Sequence, residues 1–320
     1  MYKKEIRVLN KVEQTGKKVV WVLDKLLGAL FACVMFLVLL VGLYALWDSK
    51  MVYAEADSAQ WEAFRPTSTN TEGFEELREE NPDVWGWLHI YGTKINNPLL
   101  HNDENHDLYL NHDAKGRPSS PGALYIEKPF SNTLSDFNTI IYGHHMANDL
   151  MFGGLDHFDD QAYLDEHPYG TVSYIDNKGQ FQTRGIEVVG LIHTDAYDSS
   201  LYKDPIVSSS AQQAYVGALS SQMATKRNVD WNNNQILILS TCASGGTNAR
   251  TVVVCYVEDE VHEDTFVEEV REGIGLDELS GLFGFPWLGW VGLILFVCIV
   301  ILLIIWHMDK RRQAKKNSKS

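Results

Sequence analysis

Hydrophobic positions along this chain come in two textures. Residues 26–47 (LLGALFACVMFLVLLVGLYALW) and 287–306 (WLGWVGLILFVCIVILLIIW) are apolar runs of 22 and 20 residues without a charge. A bilayer hydrocarbon core needs about 20 apolar residues as helix, and Trp or Tyr near the run ends suits the membrane interface. The pattern predicts two transmembrane helices, over 26–47 and 285–306. For the first run the alternative is a cleaved signal peptide, with Ala54-Glu55-Ala56 as its cleavage site. The run exceeds the usual ~7–15-residue apolar region of such a leader. For the second run the alternative is a buried core helix. Against it, Lys310, Arg311, Arg312, Lys315 and Lys316 follow as a basic stop.

Between the runs the texture is short and broken. Residues 48–80 are mostly polar, with Trp61 and Phe64 three apart, Phe74 and Leu77 three apart, and Thr71 at a helix start. That spacing predicts an extracellular helical stalk. From Val84 onward, β-rich pieces separated by turn residues predict strands over 84–90, 94–100, 123–127, 138–143, 170–175, 181–193, 235–240 and 250–257. The stretches IIY, ILIL and TVVV are continuously apolar, which marks their strands as central and buried. Residues 208–226 set Tyr215, Leu219 and Met223 four apart, the spacing of one amphipathic helix. The expected fold is mainly β, a closed β-barrel of about seven to eight strands over 81–258, with N-terminal helices and one inserted helix. Residues 259–284 read as an acidic linker, with Phe266, Val267, Val270 and Ile274 as a weak helical stripe.

Composition adds little until it is divided along the chain. With 320 residues, 45% hydrophobic and 22% charged, the protein is neither disordered nor collagen-like nor a disulfide-dense mini-protein. A net charge of −15 lacks the basic footprint of a nucleic-acid binder. The charge is unevenly placed, however. Residues 1–25 carry seven Lys/Arg against three Asp/Glu, and residues 307–320 carry six against one. The span between them holds 14 basic and 38 acidic side chains, net −24. Basic segments stay in the cytoplasm. The expected protein therefore crosses the cell membrane twice, with both termini (1–25 and 307–320) inside and an acidic domain facing outward, most simply at a bacterial cell surface.

Cys33 and Cys298 fall inside the apolar runs, which leaves Cys242 and Cys255 outside the membrane. Two readings stand: a Cys242–Cys255 staple of the kind oxidising compartments favour, or one working thiol and one small buried residue. Two strand ends carry chemistry. Ile141-Tyr142-Gly143-His144-His145-Met146 sets histidines directly after a buried strand. Leu239-Ser240-Thr241-Cys242 ends another, and Arg250 opens the next. A Cys thiolate is a nucleophile, His an acid/base and Arg a permanent cation for an oxyanion. The plain reading of the same residues is a surface histidine, a structural cysteine and a solvated arginine. The stretch 101–113 (HNDENHDLYLNHD) begins like a Ca²⁺ loop at Asp103, Asn105 and Asp107. Leu108 and Ala114 replace the turn glycine and the bidentate glutamate, so no metal is expected.

Taken in order, these pieces resemble the sortases, and within them class B. The resemblance runs from about Phe74 to Val257. It rests on Asn81-Pro82-Asp83-Val84-Trp85-Gly86-Trp87-Leu88, Gly92-Thr93-Lys94-Ile95-Asn96-Asn97-Pro98-Leu99-Leu100, Tyr109-Leu110-Asn111-His112 and Gly122-Ala123-Leu124-Tyr125. It continues through Asn138 to Met146, Met151-Phe152, and Leu239 to Cys242 with Arg250 eight residues on. The helix at 208–226 stands where class B members carry an extra helix. The resemblance implies a sortase β-barrel and a cofactor-free cysteine transpeptidase. Cys242 would be the nucleophile, His144 the acid/base and Arg250 the oxyanion or substrate-orienting cation, with Ser240, Thr241 and His145 supporting substrate or oxyanion. Its implied partners are surface proteins or pilins bearing an LPXTG- or NPXTG-like C-terminal motif, and an amine acceptor, either a peptidoglycan precursor or a pilin Lys. The C-terminal span departs from many class B members and leaves wall anchoring and pilus assembly both open. A surface cysteine hydrolase without transfer and a non-catalytic membrane-bound binding protein are the competing expectations.

Overall fold

The computed structural model describes residues 2–67, 69–229, 231, 235–242 and 248–266, with Cys242 placed through its backbone. The second apolar run, the basic tail, Cys298 and the stripe positions Val267, Val270 and Ile274 lie outside the described residues.

The chain opens as one continuous helix, α1 (Tyr2–Ala56), about 80 Å long at 1.5 Å per residue. Its apolar window reaches a mean hydropathy of 2.9, and none of that window is buried by protein. Among the described residues this is the one helix long and apolar enough to cross a membrane. A 3₁₀ helix follows (Ser58–Phe64), capped by Asp57, whose carboxylate accepts the Ala59 N–H at 3.0 Å. Then comes α2 (Glu72–Glu80). The apolar positions of this stretch are not solvated. Trp61, Phe74 and Leu77 are buried with Val84, Trp87, Leu100 and Tyr109 in a small second core, so the helices are docked on the barrel wall.

Among the described residues nine strands follow: β1 (Val84–Ile90), β2 (Asn96–His101), β3 (Leu124–Ile126), β4 (Asn138–Tyr142), β5 (Tyr169–Ile175), β6 (Phe181–Asp195), β7 (Thr225–Lys226), β8 (Gln235–Cys242) and β9 (Ala249–Glu258). They pair in the order β5-β1-β2-β3-β4-β8-β9-β6-β7, and a further β5–β6 pairing closes the ring. Eight strands thus form a closed barrel, and the two-residue β7 is appended to β6. Closure leaves no open edge among the eight, which is how antiparallel sheets avoid exposed ladders. Two pairings, β2–β3 and β4–β8, are parallel. The continuously apolar stretches form the shared core. Ile141, Leu237, Leu239, Val252 and Val254 are fully buried.

Among the described residues two further α-helices flank the barrel. The turn-bounded α3 (Gln161–Glu166) precedes β5, and α4 (Ser209–Gln222) begins at the Ser208 cap. The segment leading to α4 is stitched to β4 by Asn138, which is fully buried. Its Nδ2 donates to the Lys203 carbonyl at 3.0 Å, and its Oδ1 accepts the Ile206 N–H at 2.9 Å.

After β9 the described part of the acidic linker folds back on the barrel. His262 stacks on Tyr169 with centroids 3.7 Å apart, and Phe266 stacks on His167 at 4.7 Å. The Phe266 ring lies over Gly92, where φ is +70° and a Cβ would come within 2.6 Å of the ring. Only glycine meets both demands. Beneath this strap His89 is buried with its Nδ1 3.1 Å from Arg65 Nη2. Burial, and then the Arg65 charge, push its pKa down to about 3.

Candidate active site

β8 lies between β4 and β9, and all three strands bring chemistry to the same end. Along the parallel β4–β8 ladder Tyr142 is the register partner of Ser240. The Gly143 N–H continues the ladder to the Ser240 carbonyl at 3.2 Å. His144 and Cys242 each follow two residues beyond that pair, His144 just past the end of β4 and Cys242 as the last residue of β8. On the other flank, Cys242 is the register partner of Arg250, and Thr241 of Thr251. Hydrogen-bonded neighbours in a sheet stand about 5 Å apart, so three residues distant in sequence share one barrel rim.

Each side chain has its own restraint. His144 is half-buried, and its Nε2 lies 2.8 Å from the Leu110 carbonyl oxygen. A carbonyl only accepts, so Nε2 carries the hydrogen in this contact, and the neutral ring keeps its lone pair on Nδ1. His145 Nε2 lies 2.7 Å from Asp156 Oδ2. Arg250 is half-buried and donates to the Ala249 carbonyl at 3.0 Å. Among the described residues its guanidinium has no carboxylate within ion-pair distance. Ser240 is buried, its hydroxyl 2.9 Å from the Tyr202 hydroxyl. Thr241 is buried too, and its hydroxyl has no hydrogen-bond partner among the described residues.

The loop after β4 is held tightly. Its Phe152 N–H bonds back to the His144 carbonyl at 3.0 Å, and Lys94 Nζ donates to the Asn148 carbonyl at 2.7 Å. Gly153 packs so closely that a Cβ there would sit 1.8 Å from the Met146 carbonyl oxygen.

The staple between Cys242 and Cys255 is ruled out by register. Cys255 faces Leu237, five residues back along β8 from Cys242, which amounts to more than about 15 Å of strand. A disulfide requires Cα atoms within about 7 Å. Cys255 is free and fully buried, and burial pushes its thiol pKa up. It is the small core residue, and Cys242 is the last residue of β8.

No family model matches this chain. It is 30% identical over 190 residues to sortase B of Staphylococcus aureus, spanning 58% of this chain and 74% of that protein. To sortase B of Listeria monocytogenes it is 31% identical over 199 residues, spanning 61% and 75%. The chain belongs to the class B sortases.

Solved structures agree with that placement. The sortase matches Clostridium perfringens sortase B with a TM-score of 0.53 and 28% identity, covering 58% of this chain and all of that one. It matches a Streptococcus pyogenes class B sortase involved in pilus biogenesis at 0.51 and 28%, covering 58% and 97%. It also matches a Staphylococcus aureus sortase B–substrate complex at 0.52 and 27%, covering 63% and 89%. Membership makes this chain a transpeptidase of the sortase type.

Sequence reasoning singled out His144, His145, Ser240, Thr241, Cys242 and Arg250, and the fold gathers all six at the ends of β4, β8 and β9. It missed Asp156, the Leu110 carbonyl and Tyr202. Asp156 sits in an ordinary GGLDHF stretch, and a backbone carbonyl has no sequence signature. Only Tyr109-Leu110-Asn111-His112, part of the family resemblance, marked the neighbourhood of Leu110.

Proposed function

We propose that this protein is a membrane-anchored sortase that cleaves an LPXTG- or NPXTG-like C-terminal motif between Thr and Gly and passes the acyl group to an amine. The observation that carries this reading is the register of β8, with His144 leaving the sheet on one side of Cys242 and Arg250 paired on the other. The Cys242 thiolate attacks the Thr carbonyl carbon, and the negative charge collects on that oxygen. Arg250, which keeps its proton throughout, stabilises it. The imidazolium of His144 gives its proton to the leaving Gly amine, the C–N bond breaks, and a thioester on Cys242 remains. An incoming amine then attacks the thioester, neutral His144 takes its proton, and the Cys242 thiolate departs. The thioester conserves the energy of the cleaved peptide bond, so the new amide needs no nucleotide.

Ser240, Thr241 and His145 support this centre. Ser240 holds the strand end through Tyr202, Thr241 contributes through its backbone, and His145 anchors the loop that carries His144. The unburied apolar window of α1 supports an N-terminal anchor. The run at 287–306 supplies the second, with both ends of the chain cytoplasmic and the barrel outside. The acceptor is a wall-peptide amine or a pilin Lys. A solved sortase B complex with triglycine, 25% identical with a TM-score of 0.52, supports an amine entering this site.

The test is release of Gly from sorting-motif peptides in the presence and absence of triglycine. Wild-type protein forms the triglycine adduct and Cys242→Ala forms none. Retained cleavage in that variant, or hydrolysis with no adduct, would sink the transfer reading.

A further inference from the structure

A carboxylate outside the sequence-derived site bridges its two flanks. Asp156 Oδ2 lies 2.7 Å from His145 Nε2, and Asp156 Oδ1 accepts the Thr251 hydroxyl at 3.1 Å. His145 is the neighbour of His144 and Thr251 the neighbour of Arg250. The link therefore runs from the β4 exit to β9, across β8, where Thr251 is the register partner of Thr241. Asp156 itself is on a firm base. It belongs to a 3₁₀ segment (Gly153–Asp159) whose Leu155 and Phe158 are fully buried. That segment is tied to β7 by the Thr225 hydroxyl on the Phe158 carbonyl at 2.7 Å, and to β6 by His193 against Asp159 at 2.9 Å.

Both oxygens of one carboxylate are thus spent on joining the two elements that flank Cys242, with no ladder hydrogen bond between those elements. Hydrogen bonds to an ionised acceptor are short and directional, and a misplacement of about 1 Å in a reacting group can cost on the order of a hundredfold in rate.

We propose that Asp156 is a positioning residue, which sets His144 and Arg250 at their working separation on either side of Cys242 by clamping His145 to Thr251. The proposal rests on the transfer reading above.

The test uses the full-length protein in detergent or nanodiscs and the variants Asp156→Ala, His145→Ala, the double variant and Thr251→Val. The last is isosteric and removes only the hydroxyl, so it keeps the question open to measurement if loss of the carboxylate disturbs folding. With peptide and triglycine, Asp156→Ala and His145→Ala are expected to lower kcat about tenfold with KM within about twofold, and the double variant to lose no more than either single. Thr251→Val is expected to lower kcat in the same direction. Hydrogen exchange of residues 143–146, followed without substrate, is expected to quicken in Asp156→Ala. Unchanged kcat in both Asp156→Ala and Thr251→Val, or losses that multiply in the double variant, overturn the clamp. Quickened exchange in a protein whose wild type releases no Gly would leave the clamp standing and overturn the transfer reading instead.

Discussion

Cys242 and Arg250 face each other as the last register pair of the β8–β9 ladder described above. A cation placed by strand pairing has its backbone fixed before substrate arrives, and in the proposed reaction it would stabilise developing charge with little reorganisation. Loss of that cation is expected to lower kcat more than it raises KM. Arg250→Ala should cost about a hundredfold to a thousandfold in kcat. Arg250→Lys should recover only part of this, because an ammonium lacks the planar fork of donors. Gly release under saturating peptide is the measurement.

Cys255 and Cys242 should differ sharply in reactivity. Cys255 is fully buried and its thiol is pushed up by that burial. A charged thiol reagent such as a methanethiosulfonate is expected to leave it unmodified in the folded protein and to label Cys242. Peptide mapping before and after denaturation checks this, with Cys255 appearing only in the unfolded sample. The intact mass without reductant should show no loss of two hydrogens.

Gly153 is the most closely packed glycine of the loop that carries His144. A methyl group at this position would overlap the Met146 carbonyl, and backbone cannot yield as a side-chain tip can. Gly153→Ala is expected to lower kcat/KM by about tenfold or more through displacement of the loop. The barrel strands should keep their hydrogen-exchange protection, since none of their ladders passes through Gly153.

The strap after β9 gives stability a pH dependence. His89 is buried with its pKa depressed to about 3 from 6.5, first by burial and then by Arg65, which together outweigh the Asp264 carboxylate 4.0 Å away. Above pH 6.5 the ring is neutral in both folded and unfolded chains. Below that, the unfolded chain takes up a proton that the folded one refuses, so His89 lowers stability as pH falls from 6.5 toward 3. The slope from this one group is at most about 1.4 kcal/mol per pH unit. Melting curves across that interval should be flatter for His89→Gln than for wild type.

Much of this architecture was legible in local patterns. The alternating and continuous apolar stretches at 84–90, 138–143, 181–193, 235–240 and 250–257 became β1, β4, β6, β8 and β9 within a few residues, because strand formation follows burial period. The helix at 208–226 formed over a shorter span, closing at Gln222. The stretch 48–80 reads as a mostly polar helical stalk because Trp61, Phe74 and Leu77 are sparse among charges. Their burial depends on partners such as Trp87 and Tyr109, which no local window contains. The two readings of Cys255 could not be separated by spacing, since a span of thirteen residues permits a bridge across a hairpin. Register alone put Cys255 opposite Leu237.

By itself the sequence determined which residues are apolar enough to span a bilayer and, within a few residues, where the main strands lie. These follow from composition and short-range period, whereas the six candidate site residues were marked by ordered motifs that resemble the family. The tertiary structure decided that β4 runs parallel beside β8, that β9 returns antiparallel on the other side, and that Asp156 reaches both flanks. Hydrogen-bond register between strands distant in sequence is set only when the barrel closes. Proximity of His144, Cys242, Arg250 and Asp156 is therefore a property of closure and not of any segment.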